Sequence, residues 1–236
     1  MMNIAIVAEG DVDRGIAVHI VDLVIRELLQ DPDADLEAVR SYVQINGRPF
    51  LKWTEAKHLA ARHGIKHHGT SAGADHHAAV RALWAIRKCV PDVNVVLLQR
   101  DADDQPQRRT GLDAARQELH GMQAILVGLA TPKIEAWILR AFTVTTANEE
   151  AAHSALREQL GFDAITNAHQ LEATTKGAKR HIKRVLAELT GSDAAACWHP
   201  ALSRPLDDLR TIGTNVSLST FIADVVTRIE PLLPKP

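Results

Sequence analysis

Apolar runs alternate with amphipathic stretches along the first 142 residues of the chain. The strongest runs consist mainly of Val, Ile, Leu and Ala, which is typical of strands buried on both faces of a parallel sheet. They predict strands at residues 3–8, 93–99 and 124–129, and a weaker pattern predicts another at 37–46. Between the strands, helical spacing of apolar residues predicts five helices, at residues 15–30, 54–63, 75–89, 111–120 and 131–142. This alternation indicates a layered α/β domain with a mainly parallel sheet.

The remaining part of the chain shows helical periodicity and no further strand pattern. It predicts helices at residues 149–160, 167–174, 177–190 and 217–233. We therefore expect an α/β domain over residues 1–143 and a helical extension, residues 144–236, that packs on it.

Local signals refine these elements. Thr54 is a candidate N-cap, and Pro132 suits a first helical position, where its missing N–H has no partner to lose. Residues 67–73 form a predicted polar loop. Trp84 and Trp137 occupy apolar helical positions and are expected in the core.

The composition is that of a globular protein. Hydrophobic residues make up 46% and charged residues 24% of the 236, which excludes a disordered chain, a collagen-like fibre and a disulfide scaffold. Aromatic residues account for only 4%, which favours helices packed on a sheet over an all-β sandwich. The net charge of -2 gives no global basic surface, so we expect any nucleic-acid contact to be local.

The expected compartment is the cytoplasm. Cys89 and Cys197 are far apart and lack metal-ligand spacing, as expected of reduced thiols. No signal-peptide pattern precedes the first strand, and no apolar stretch approaches the roughly 18 residues of a membrane span, so we expect no membrane association.

Acidic residues lie at or beyond the ends of three predicted strands. Glu9 follows the first, Asp101 and Asp103 follow the strand at 93–99, and Glu135 lies beyond the last. Ligands bind at this edge of open α/β sheets. An extended backbone would direct Asp101 and Asp103 to one side, and clustered carboxylates need a cation to offset their repulsion. Such oxygen ligands favour Mg²⁺ or Mn²⁺.

Each acid also has an explanation without function. Glu9 could be a turn residue, Asp103 and Asp104 could form a solvated loop, and Glu135 would gain from the helix dipole in a first turn. Their common position at one sheet edge is what favours a site.

Three segments resemble the Toprim family. Its signature, a strand-end Glu before Gly and a nearby acid, is similar to Glu9-Gly10-Asp11-Val12-Asp13. Its second motif, a strand ending in Asp-x-Asp, is similar to Leu97-Leu98-Gln99-Arg100-Asp101-Ala102-Asp103-Asp104. A Pro-x-x-Glu-x-Trp segment of small Toprim-like proteins from bacterial and phage defence resembles Pro132-Lys133-Ile134-Glu135-Ala136-Trp137. The resemblance covers about residues 3–142.

The resemblance implies a Rossmann-like fold and a metal-dependent nuclease related to the overcoming-lysogenization-defect nucleases. It implies two-metal phosphodiester hydrolysis with Mg²⁺ or Mn²⁺. Glu9, Asp101 and Asp103 would hold the first metal. Glu135, with Asp13 or Asp104, would complete the second metal site or act as a base. The implied role is that of an effector in a bacterial anti-phage defence system.

The chain also departs from the family. The spacing from Glu9 to Asp101 exceeds that of a minimal Toprim unit, so extra elements must be inserted. No Gly-x-x-x-x-Gly-Lys-Ser/Thr motif is present, so an ATPase or other defence-system partner would be a separate chain. Tyr42, the only tyrosine, lies in a predicted strand, where a core role is expected rather than that of a topoisomerase nucleophile.

Two other functions stay open. One is a non-catalytic Toprim-like binding or regulatory subunit of a larger complex. The other is phosphotransfer of the haloacid-dehalogenase kind, which also uses Asp-x-Asp after a strand, although Asp104-Gln105 stands here where such enzymes carry Thr. The sequence leaves open the choice between DNA and RNA and the oligomeric state.

Two basic clusters are candidates for nucleic-acid contact. Residues 176–184 contain no acid, and a one-sided basic helix there can contact phosphates, although a solvated charged face explains it equally well. The candidates in this segment are Lys176, Lys179, Arg180, Lys183 and Arg184. Arg108 and Arg109 follow the Asp-x-Asp segment and could also reach a substrate phosphate.

Overall fold

A parallel sheet of five strands lies at the centre of the fold. This computed structural model describes residues 1–66, 73–119 and 124–234. The strands are β1 (Met2–Ala8), β2 (Arg40–Tyr42), β3 (Leu51–Lys52), β4 (Val95–Asp101) and β5 (Ala124–Ala130). Their order is β2-β1-β4-β5, and β3 pairs with the carboxyl-terminal end of β1. The predicted α/β class with a parallel sheet is confirmed.

The long strands form from the apolar runs because both of their faces are covered. Residues Ile4 to Val7 of β1 pair with Val95 to Leu98 of β4, and all these side chains are completely buried. Since β2 and β4 lie on opposite sides of β1, the strand order reverses between β1 and β4. In such a sheet, the crevice at the carboxyl ends of these two strands is the usual position of a ligand.

The helices occupy most of the remaining described chain. The ones between strands are α1 (Asp11–Leu29), α2 (Leu36–Val39), α3 (Trp53–Arg62), α4 (Gly73–Cys89) and α5 (Gln107–Glu118). Those after β5 are α6 (Ile134–Ala141), α7 (Ala147–Leu160), α8 (Ile182–Thr190), α9 (Ala194–Leu202), α10 (Leu206–Ile212) and α11 (Leu218–Ile229). Among the residues described, no helix combines the length and the apolar character needed to cross a bilayer.

The chain divides into two compact units. The first comprises Met1–Arg100, Gln105–Gly128 and Phe221–Pro236, and it contains most of the sheet. The second comprises Asp101–Asp104 and Leu129–Thr220, and it contains α6 to α10. The predicted boundary between residues 143 and 144 stays a prediction.

Several predicted elements in the second half of the chain are wrong. Residues 167–174 contain only a 3-10 turn, Ala168–Gln170, and the helix predicted at 177–190 begins at Ile182. Glu172 and His181 form an isolated antiparallel bridge, which holds the intervening residues out of a helix. The helices α9 and α10 have no counterpart in the prediction.

Residues 37–46 also differ from the prediction of a single strand. They contain part of α2 and the short strand β2, because the Asp35 carboxylate accepts a hydrogen bond from the Glu37 backbone N–H (3.0 Å) and caps a helical turn. The N-cap of α3 is Lys52 rather than Thr54. The predicted loop at 67–73 falls almost wholly on residues 67–72, which lie outside the described residues.

Two aromatic residues have different outcomes. Trp137 is completely buried, as predicted, and its indole N–H donates to the Val216 carbonyl (2.6 Å). Trp84 is 37% exposed, because the buried face of α4 is centred on residues on the other side of the helix, such as Ala82 and Ile86. The Arg87 guanidinium lies 5.6 Å from the centre of the Trp84 ring.

Candidate functional site

The end of β4 is joined to the start of α6 within the second unit. Asp101, the last residue of β4, is buried, and its carboxylate accepts a hydrogen bond from the Ile134 backbone N–H (2.8 Å). The Pro132 carbonyl accepts from the backbone N–H groups of Ala102 and Asp103 (both 3.1 Å). Pro132 therefore precedes α6 instead of occupying its first position, and the Asp101 carboxylate caps the helix.

The backbone turns sharply after Asp101. Asp103 and Asp104 have φ angles of 46° and 56°, in the left-handed region that aspartate tolerates better than most residues. The backbone after Asp101 is therefore not extended, in contrast to the prediction. The turn brings a carboxylate oxygen of Asp103 to 2.5 Å from the Lys133 ammonium. Asp104 is exposed.

The Lys133 ammonium lies in the field of three carboxylates. Burial alone lowers the pKa of Lys133, but the hydrogen bond to Asp103 and the charge of that carboxylate raise it. The charges of Asp101 and Glu135 raise the pKa further, and the net result lies above the ordinary lysine value. The structure thus places Asp103 in contact with this ammonium, and it places Asp101 and Glu135 near enough for their charges to act on it.

Glu135 is an almost completely buried carboxylate in the first turn of α6, only 4% exposed. One carboxylate oxygen lies 3.3 Å from the Lys183 ammonium, which belongs to α8 and whose side chain is 62% exposed. The other oxygen is buried and has no hydrogen-bond partner among the described residues. A buried polar atom in this state costs about 1–3 kcal/mol, so it calls for a functional explanation or an additional ligand.

The donor chemistry of this group suits a hard divalent cation. Its members are carboxylates, the ligands that Mg²⁺ and Mn²⁺ prefer, and a cation would satisfy the buried oxygen of Glu135. In the described part of the chain, no three His, Cys, Asp or Glu side chains are already placed around a common metal position. The observed partners of Asp103 and Glu135 are instead the ammonium groups of Lys133 and Lys183.

A second charged cluster lies in the first unit, at the carboxyl ends of β1 and β4. Arg100 lies 2.5 Å from the Asp75 carboxylate and 3.8 Å from that of Glu9, and its guanidinium is 4.9 Å from the centre of the Trp53 ring. The Nε atom of Arg108 lies 3.5 Å from the same Asp75 carboxylate. The cluster fixes the residues at the switch point, and it leaves the Glu9 side chain 38% exposed.

The predicted acids are thus distributed over both units. Glu9 belongs to the first unit together with Asp13, which is 9% exposed and lies in the first turn of α1. Asp101, Asp103, Asp104 and Glu135 belong to the second unit.

The candidate nucleic-acid residues near α5 are held by acids. Arg108 is buried beside Asp75, and Arg109 forms an ion pair with Asp113 (2.8 Å) one helical turn later. Both arginines therefore have partners within the first unit.

The basic segment before and within α8 is more accessible. Lys176, Lys179 and Arg180 are exposed and precede the helix, so they do not form the one-sided helical face that the sequence predicts. Arg180 lies over the Phe162 ring (5.4 Å), and Arg184 forms an ion pair with Glu188 (2.5 Å). Asp101, Asp103 and Glu135 together are called the acid group below. The fifth residue of the basic segment, Lys183, contacts Glu135 of this group.

Arg100 and Asp75 are not identified from the sequence as parts of a site, and Lys183 is identified only as a candidate contact for nucleic acid. Arg100 carries one signal, since it is a charged residue near the end of a mainly apolar strand. The lysines resemble ordinary surface lysines in the sequence, and only their tertiary contacts reveal their carboxylate partners.

No protein-family model, curated protein or solved structure shows significant similarity to this chain.

Proposed function

We propose that this chain is a Mg²⁺- or Mn²⁺-dependent phosphodiesterase that acts on nucleic acid. The observation that carries the proposal is the group formed by Asp101, Asp103 and Glu135. Asp101 ends a buried parallel strand, Asp103 and Glu135 contact the ammonium groups of Lys133 and Lys183, and one buried oxygen of Glu135 has no partner among the described residues. A group of carboxylates in that position is suited to hold a divalent cation, and the resemblance of residues 9–13 and 97–104 to the Toprim motifs points to the same chemistry.

In this proposal each residue of the group has a role that follows from its contacts. Asp101, Asp103 and Glu135 would hold the metal, with Asp104 as a proposed further ligand or base. The roles of Glu9 and Asp13 as metal ligands stay predictions from the sequence. The bound metal would lower the pKa of an attacking water and stabilise charge on the leaving oxygen. The Ile134 backbone N–H orients Asp101. The unpartnered oxygen of Glu135 is suited to accept a hydrogen bond from a water molecule.

The basic segment supports nucleic acid as the substrate class. Lys183 contacts Glu135 while its side chain remains 62% exposed, so it lies between the acid group and solvent. The exposed Lys176, Lys179 and Arg180 precede it in the chain and would extend a positively charged path for a phosphate backbone.

The wider role follows from resemblance alone. The similarity of residues 132–137 to a segment of small Toprim-like defence proteins suggests an effector of a bacterial anti-phage system that acts in the cytoplasm. An ATPase or another defence-system subunit would then be a separate partner chain.

The test is cleavage of plasmid DNA, single-stranded DNA and RNA by the full chain, with Mg²⁺ or Mn²⁺ and with chelator. We expect metal-dependent cleavage that is abolished in the Asp101→Asn/Asp103→Asn variant. The matched control is Asp207→Asn, since Asp207 is 87% exposed and pairs only with the nearby Arg210 in the contacts described. Cleavage that survives in the double variant would show that the acid group is not the active site.

The contacts of the acids favour a second candidate, a non-catalytic binding or regulatory subunit. Asp101 caps α6, and Asp103 and Glu135 pair with lysines, so each acid has a structural role. This candidate predicts no cleavage of any substrate, together with Mn²⁺ binding that is lost in the double variant. Absence of both cleavage and Mn²⁺ binding would exclude the metal site and therefore the phosphodiesterase.

A further inference from the structure

We infer that the ammonium groups of Lys133 and Lys183 are counter-ions of the acid group. A divalent cation then has to displace these ammonium groups, and a nucleic-acid phosphate can bind them once they are displaced. The inference rests on the proposed function, because it concerns how the same site acquires its metal. It predicts that metal and nucleic acid bind cooperatively.

Lys133 is largely covered, since its side chain is only 20% exposed. Its ammonium contacts the Asp103 carboxylate at 2.5 Å. An ammonium and a metal ion that depend on the same carboxylates compete, because each repels the other at this separation. A metal can therefore bind at full affinity only after the Lys133 ammonium has moved.

Lys183 and Glu135, which form the other contact, lie in different environments. Glu135 is buried whereas Lys183 is mostly exposed, and their charged atoms are 3.3 Å apart. The flexible lysine side chain can leave this contact for solvent without exposing the carboxylate. A metal at Glu135 would replace the charge of Lys183 and satisfy the buried oxygen that has no partner in the described chain.

The displaced lysines connect metal binding to substrate binding. A lysine displaced from a carboxylate needs another anion, and a phosphodiester supplies one at the same place. Each phosphate that holds Lys133 or Lys183 thus removes a competitor of the metal. By linkage, nucleic acid raises metal affinity by the same factor by which metal raises nucleic-acid affinity.

The experiment measures Mn²⁺ binding to the full chain by the loss of the free-ion electron paramagnetic resonance signal. Titrations are made with and without a nuclease-resistant phosphorothioate oligonucleotide, for the wild type, Lys133→Met, Lys183→Met and the double variant. Lys57→Met is the matched control, since Lys57 is an exposed lysine on α3 in the first unit. Lys133→Gln is a second substitution at position 133, which replaces the ammonium with a neutral polar group. Circular dichroism verifies the fold of each protein.

Without oligonucleotide, we expect Lys133→Met to bind Mn²⁺ about tenfold more tightly than the wild type, Lys183→Met to show a smaller gain, and Lys57→Met to show none. The oligonucleotide should tighten Mn²⁺ binding to the wild type by a factor of about 5–150, the usual range of coupling between two ligands. Most of that coupling should be lost in the double variant.

The outcomes separate this inference from the proposed function. If Asp101→Asn/Asp103→Asn leaves Mn²⁺ binding unchanged, or if the wild type binds no Mn²⁺, both are wrong. If Mn²⁺ binding depends on the Asp pair but Lys133→Met and Lys133→Gln bind it no more tightly than the wild type, only the counter-ion inference is wrong.

Discussion

The side chain of Gln99 on β4 is completely buried, and among the described residues neither atom of its amide group has a hydrogen-bond partner. A Cβ atom on Gly128 would lie 2.1 Å from its amide oxygen, so the glycine provides the space that this side chain fills. Gln99→Met keeps the length of the side chain and removes the unpaired amide. We expect it to raise the free energy of unfolding by about 1–3 kcal/mol in urea denaturation.

The converse change tests the same packing. Gly128→Ala would place its Cβ against Gln99 and within 3.3 Å of the Phe221 ring, so we expect a loss of stability. If Gln99→Met lowers the stability instead of raising it, the amide of Gln99 binds a buried water or another polar group.

The candidate acids can be predicted from the local sequence, whereas the residues that they contact cannot. Asp101 and Glu135 are recognisable because an acid after an apolar strand is an unusual position. The pairing of Glu135 with Lys183 depends on contact between two helices, which no local pattern encodes. The turn at Asp103 and Asp104 also depends on a tertiary contact, because the Pro132 carbonyl accepts hydrogen bonds from the backbone N–H groups of Ala102 and Asp103.

At the scale of elements, the short edge strand β2 is attached to α1 by side chains. The Tyr42 hydroxyl donates to the Asp22 carboxylate (2.8 Å), and Arg40 pairs with the same carboxylate (2.7 Å). Burial, and then the negative charge of Asp22, raise the pKa of Tyr42 well above its ordinary value. Because Tyr42 is the only tyrosine, its ionisation can be followed directly by tyrosinate absorbance.

We expect the folded protein to retain neutral Tyr42 at a pH where the unfolded chain, with a pKa of about 10, is ionised. Since the pKa is raised by folding, the contribution of Tyr42 to stability is complete below the unfolded pKa of about 10 and is lost as the pH rises through the folded value. Asp22→Asn should lower the folded pKa without restoring the ordinary value, because burial remains. Titration of the folded protein near the unfolded value would contradict this contact.

Asp224 connects α11 to two other elements of the first unit. Its carboxylate accepts a hydrogen bond from the Val127 backbone N–H on β5 (2.9 Å) and pairs with Arg116 on α5 (2.8 Å) and with Arg228 (2.9 Å). Because the carboxylate is largely buried and hydrogen-bonded, we expect Asp224→Asn to reduce the free energy of unfolding by about 1.5–3 kcal/mol. Chemical denaturation measures this loss.

The matched control is again Asp207→Asn, which removes the charge of an exposed ion pair of similar length (2.7 Å). Exposed pairs contribute little, so the expected change is below about 0.5 kcal/mol. Equal effects of the two substitutions would show that Asp224 does not join these elements.

The elements that sequence predicts well are those that carry their own signal. Strands such as β1 are apolar at nearly every position, with Asn3 as its one polar residue. α7 has a capping box in which Thr146 and Glu149 each bond the other's backbone, so its start is locally encoded. In contrast, β3 has only two residues and exists through its pairing with β1. α8 is strongly amphipathic, but its start depends on the bridge between Glu172 and His181, which periodicity does not reveal.

For the whole molecule, a net charge of -2 means that any attraction to nucleic acid comes from the arrangement of charges and not from their sum. Lys176→Gln/Lys179→Gln removes two exposed charges from the basic segment, and Lys52→Gln/Lys57→Gln removes two from the first unit, so both variants have the same net charge.

Binding to duplex DNA is measured over a range of salt concentrations. If Lys176 and Lys179 contact phosphates, the first variant flattens the plot of log affinity against log salt by about 1.8, or 0.9 per contact, and the second leaves it unchanged. Equal flattening would make the attraction a property of net charge, and no flattening in either would make residues 176–184 a solvated surface.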